Sequence, residues 1–98
     1  MKTQIEYTVE AGENYEKARA KLELITIEYL DIIRENYGYD TYALAKLTHN
    51  TWKVLRDMEE QLEGQKWTNG SGRGQAESLR ALYITNERIK FLEGNPNH

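Results

Sequence analysis

The sequence predicts an all-α protein, a three-helix bundle preceded by a short extended or β-like N-terminal arm. Apolar residues recur at alternating spacings of three and four along three long stretches, the signature of helices with a buried side. Glycine-bearing breaks separate those stretches, and only residues 3–9 alternate with a period of two. With 98 residues, 39% of them hydrophobic, the chain reads as one domain with a modest core. Its periodicity is too regular for disorder.

In the N-terminal segment Ile5, Tyr7 and Val9 share one side, and Gln4, Glu6 and Thr8 the other. No later stretch offers a strand partner, and a lone strand is not stable. Residues 1–10 are therefore expected as an arm that lies on the helices, or pairs with the same segment of another subunit or with a partner's sheet edge.

Helix 1 is expected over residues 11–37. Tyr15, Ala18, Leu22, Ile25, Tyr29 and Ile32 line one side, Leu24 and Ile27 project away, and Leu30 lies on the flank. Glu10, Glu13 and Glu16 suit the positive end of the helix dipole. Gly38 supplies the left-handed backbone that ends the helix. Helix 2 is expected over 40–63, with Asp40 or Thr41 as its N-cap. Its apolar side is Ala43, Leu44, Leu47, Thr51, Val54, Leu55, Met58 and Leu62, and Gly64 ends it. So short a link makes helices 1 and 2 antiparallel neighbours.

Residues 64–74 contain four glycines, too many for a helix interior, and read as a loop. Helix 3 is expected over 75–93 with a core stripe of Ala76, Leu79, Leu82, Tyr83, Asn86 and Ile89, and a loose tail follows at 94–98. Asn86 either fixes register against a partner amide or sits at the solvent boundary; both readings stand.

There is no cysteine, hence no disulfide framework or thiol chemistry. The N-terminus, Met-Lys-Thr-Gln-Ile-Glu-Tyr, is not a signal peptide, and no run of about 18 apolar residues exists. A cytoplasmic protein without a membrane segment is expected. Residues 1–63 carry 8 basic and 13 acidic side chains, and residues 64–98 carry 5 and 3. That balance argues against general nucleic-acid binding, which needs concentrated cations.

Catalytic signals are weak. Glu28-x-x-Asp31 and Glu60-x-x-Glu63 place carboxylates one turn apart on two helices, the raw material for a divalent cation and a nucleotide hydrolase. All four lie off the main stripes, as solvated residues do. His49 and His98 have no local ligand partner, and nothing marks Ser71 or Ser78 as a nucleophile. The expectation is a non-enzyme without metal or cofactor.

Binding signals are stronger. Seven tyrosines are many for this length, and Tyr37, Tyr39 and Tyr42 crowd the turn between helices 1 and 2, with Trp52 on the flank of helix 2. Aromatic residues give rigid area at wet boundaries. They point to a small protein-interaction module, a regulator or inhibitor of a larger protein. Leu24, Ile27, Ile84 and Phe91, apolar but off the stripes, point to a homo-oligomer, with a two-fold dimer preferred. The alternative is a nucleic-acid or nucleotide-phosphate site formed by Lys66, Trp67, Gly70, Gly72, Arg73, Gly74 and Arg80 before helix 3. The segment lacks the Gly-Lys-Ser/Thr of a P-loop and the dinucleotide spacing. Asn69-Gly70-Ser71 matches a glycosylation acceptor, without a secretory signal to give it meaning.

Overall fold

Thr3 opens the first helix by a reciprocal cap. Its hydroxyl accepts a hydrogen bond from the Glu6 backbone N–H, and the Glu6 carboxylate returns to the Thr3 backbone. In this computed structural model, which describes residues 1–67, 70 and 72–94, the chain forms α1 (Gln4–Tyr37), α2 (Tyr39–Gln65) and α3 (Arg73–Gly94). Asn69 and Ser71 of the acceptor triplet, and residues 95–98 of the expected tail, lie outside the described residues. The described residues contain no strand, and none of their helices is long and apolar enough to cross a membrane.

The expected N-terminal arm is therefore corrected to helix. Its alternating Ile5, Tyr7 and Val9 are all exposed. The working pattern is helical instead: Gln4, Thr8, Ala11 and Tyr15 recur on one side, partly or fully buried. Gln4 Nε2 donates to Gln75 Oε1 of α3 at 3.0 Å. A two-residue alternation is also what the exposed part of a helix yields by accident.

Gly38 joins α1 to α2 with no intervening loop. Its φ of 89° is a conformation that side chains resist, and its N–H bonds to Arg34 O at 3.0 Å. Gly38 is also the residue preceding α2, so neither Asp40 nor Thr41 acts as the expected cap; both lie inside the first turn.

α2 returns antiparallel to α1, and α3 then runs parallel to α1. Gln4 meets Gln75, and Gly12 faces Ser78. These two parallel helices share the broadest contact in the molecule. Their seam is built from small residues: Ala11, Gly12 and Ala18 on one side, Gly74, Ser78 and Ala81 on the other. Farther along, Leu22, Ile89 and Leu92 form the buried cluster, with Ile25, Tyr29 and Trp52 packed against it. The Cα trace spans 50 × 25 × 17 Å, long and narrow, so the core is a thin column.

On α1 the expected stripe is the core stripe, save that Ile33 is buried and Ile32 is exposed. On α3 the buried residues are Ala81, Thr85, Ile89 and Leu92. Leu79, Tyr83 and Asn86 of the expected stripe face solvent. The difference is a rotation: α3 turns its small residues to α1 because that seam admits no bulk.

Two substitutions test this core. Leu22→Ala should cost about 2–5 kcal/mol in urea unfolding, the usual loss for a packed leucine. Thr85→Val should raise stability by about 1 kcal/mol, because the Thr85 hydroxyl is fully buried with no hydrogen-bond partner among the described residues. Unchanged transitions for both would mean that Leu22 and Thr85 do not sit in a closed core.

Candidate functional site

α2 carries its two faces the wrong way round for an isolated bundle. Leu44, Leu47, Val54, Leu55, Met58 and Leu62 are between 52 and 63% exposed. The side facing α1 and α3 instead buries His49, Arg56 and Gly64, with Tyr42, Ala45, Trp52, Glu59 and Glu60 half-buried. At 100° per residue the two sets lie on opposite sides of the helix. The apolar stripe expected to form the α2 core is thus corrected: it is the outer surface. Periodicity identified the apolar side, and nothing in it specifies what covers that side.

The inward side is held by polar chemistry. Thr26 of α1 donates its hydroxyl to Leu22 O at 2.7 Å, which leaves its oxygen free to accept. His49 Nε2 lies 3.4 Å from that oxygen. On the other edge of the ring, Arg88 of α3 donates to His49 Nδ1 from Nε and Nη2, at 3.4 and 3.3 Å. The contacts select a neutral imidazole, proton on Nε2 and lone pair on Nδ1. Burial, and then the charges of Arg88, Lys53 and Arg56, push its pKa down from 6.5 to about 4. One imidazole so connects all three helices.

Trp52 stacks on this histidine, ring centroids 5.5 Å apart and 19° from parallel. The guanidinium groups of Arg56 and Arg88 lie 5.3 and 5.5 Å from its ring, within cation–π range. Arg88 also reaches the Phe91 ring at 5.3 Å. An ion pair between Arg80 and Glu59, 2.9 Å, closes the α2–α3 edge.

The residues expected to bind protein divide. Tyr37 and Tyr39 are exposed at the α1–α2 turn. Tyr42 is half-buried, tilted against Tyr39 at 6.0 Å and covered by Arg34 at 4.6 Å. Trp52 is half-buried and packs against the core cluster. Of the expected oligomer contacts, Leu24, Ile27 and Phe91 are exposed and Ile84 is half-buried.

In the expected phosphate segment the cations are already paired. Lys66 pairs with Glu63 at 3.2 Å, Arg73 with Glu77 at 3.6 Å, and Arg80 with Glu59, so each cation has a carboxylate. Trp67 lies over the Gly70 and Gly72 backbone, where an added Cβ would stand 3.0–3.1 Å from the indole. Those glycines make room for a ring. Gly74 is already inside α3, against the Thr8 methyl. Among the described residues no three His, Asp or Glu side chains converge as a metal site. Glu60 has its pKa raised by burial and then by Glu77 and Asp57.

No protein-family model matches the chain, and neither a curated protein nor a solved structure matches it.

The His49 junction makes stability depend on pH. Between pH 6.5 and 4 the unfolded histidine binds a proton that the folded one refuses, so stability falls as pH drops through that window. The loss should be on the order of 2–3 kcal/mol. His49→Gln should flatten that part of the profile in urea melts. An unchanged slope in the variant would place the responsible group elsewhere.

Proposed function

We propose that this chain is a non-catalytic protein-interaction module that works through the outer face of α2, and that its occupant is a second copy of the chain. The inverted α2 carries this reading. Six large apolar side chains, each a little over half exposed, present on the order of 600 Å² on one side, the upper end of the largest patch on a typical monomer. A standard interface takes about 800 Å² from each partner. Exposed Leu79 and Tyr83 on α3 supply further area.

The spacing supports a helical partner. Leu44, Leu47, Thr51, Val54 and Met58 alternate by three and four, the seam of a coiled coil, and Leu55 and Leu62 widen it. An antiparallel arrangement sets opposite ends of the two helix dipoles side by side. Laid head to tail, Leu47 of one copy meets Met58 of the other. A self-complementary patch on a two-fold axis closes without leaving a sticky end. This reading keeps the expected dimer and moves its contacts from Leu24, Ile27, Ile84 and Phe91 to α2.

Light scattering on a gel-filtration column should give a dimer at tens of micromolar. Val54→Glu with Met58→Glu should yield a monomer with an unchanged helical circular-dichroism spectrum, because neither side chain belongs to the core. Since the chain has no cysteine, orientation can be read by oxidation. A mixture of Leu47→Cys and Met58→Cys should cross-link between copies, and Leu47→Cys alone should not. A monomeric wild-type mass would overturn self-association, and cross-linking of Leu47→Cys to itself would overturn the antiparallel arrangement.

A further inference from the structure

A second group of cations lies away from the Gly-rich loop; in it Arg19 pairs with Glu16 and Arg56 with Asp57, each at 3.2 Å, and two lysines have no ion pair among the described residues. A groove of about 490 Å³ between α1 and α2 is lined by Arg19, Lys46, Lys53 and Arg56. Among the described residues its lining contains one carboxylate, Glu23. The neighbouring cleft, about 710 Å³, instead mixes Glu13, Glu16, Asp57 and Glu60 with Lys17, Arg19 and Arg56. In a chain of net charge -3, the 490 Å³ groove is a local reversal of sign.

Two features separate it from a patch of ordinary surface lysines. Arg56 has a side chain only 8% exposed. Its Nε donates to Asp57 at 3.2 Å, and its Nη groups hydrogen-bond to no described residue. Trp52 fixes one side of the guanidinium, so its planar fork is held in place before any ligand arrives. Lys46 and Lys53 form no ion pair among the described residues. Buried guanidinium charge without full compensation is costly, and an anion seated beside Arg56 offsets that cost.

We propose that this groove binds the phosphate group of a small phosphorylated metabolite, with Arg56, Lys46 and Lys53 holding the phosphate and Leu22, Ile27 and Leu30 contacting its uncharged body. With Arg19 held by Glu16, the two lysines and the Nη side of Arg56 still outweigh Glu23, and that surplus favours a doubly charged anion over a monocarboxylate. The volume falls within the range of small-molecule sites, roughly 300–1,000 Å³. Asn50 and Thr26 on the lining add neutral polar contacts. Histidine 49 stays uncharged there, so the phosphate is held by the arginine and lysines. The groove lies on the α1 flank of α2 and the leucine face lies opposite, so this site stands apart from self-association.

The test is a ¹⁵N NMR titration at low ionic strength with AMP, glucose 6-phosphate, adenosine and acetate. AMP and glucose 6-phosphate should shift the amides around Thr26, His49, Asn50 and Lys53, and added salt should weaken both. Adenosine and acetate should leave them in place. Lys46→Gln with Lys53→Gln, both exposed and outside the core, should weaken AMP binding roughly ten-fold or more. Lys90→Gln, on α3 and paired with Glu87, should not. The monomeric Val54→Glu, Met58→Glu protein should bind AMP as the wild type does. The proposal is overturned if neither phosphate probe shifts those amides, if adenosine binds as well as AMP, or if the lysine pair can be replaced without effect. Shifts confined to Arg73–Arg80 would return the phosphate to the loop and overturn it as well.

Discussion

A neutral imidazole at the meeting point of three helices sets the rotation of α2. His49 reaches Thr26 on α1 and Arg88 on α3, and those contacts are available only if that side of α2 turns inward. Trp52, Arg56 and Glu59 lie on the same side and follow it. The leucines lie half a turn away and are carried to the outside. A buried polar network is costly when incomplete and rigid when complete. Here it fixes the orientation that apolar packing alone would have reversed.

The seam between α1 and α3 makes the arrangement possible. Alanine, glycine and serine let the two parallel helices approach closely, and the thin column of Leu22, Ile89 and Leu92 does the work of a core. α2 then lies across these two as a third member attached largely through polar groups. The same geometry buries Arg56, paired through Nε with Asp57, and half-buries Arg88. Burial lowers the pKa of Arg88. Charge was spent on orientation, and the α1–α2 groove carries its residue.

The sequence made the helices legible, and part of their packing. Three helices, the ending of α1 at Gly38 and the α1 stripe through Tyr15, Ala18 and Leu22 follow from spacing and backbone chemistry. The first turn was legible too, in Thr3-x-x-Glu6, but the alternation of Ile5, Tyr7 and Val9 was the louder signal. For α2 and α3 the apolar sides were visible and their surroundings were not. A leucine stripe looks the same whether its cover comes from within the chain or from outside. His49 had no neighbour in sequence to mark it, because its partners are 23 and 39 positions away. The basic groove was hidden likewise: Arg19 and Lys46 belong to different helices, and no spacing in the sequence brings them together. Trp67 explains the glycines around it only once ring and backbone are seen together.

The joint at Gly38 has one further consequence. Because α1 passes into α2 through a single residue, the angular phase of everything downstream is counted from that point. One residue gained or lost between Gly38 and His49 would turn the rest of α2 by about 100°, parting the imidazole from its partners and swinging the leucines toward one flank. Insertions and deletions are usually harmless in the connections of a small domain. In this chain the connection is a phase marker, and its length matters more than the identity of most residues it joins.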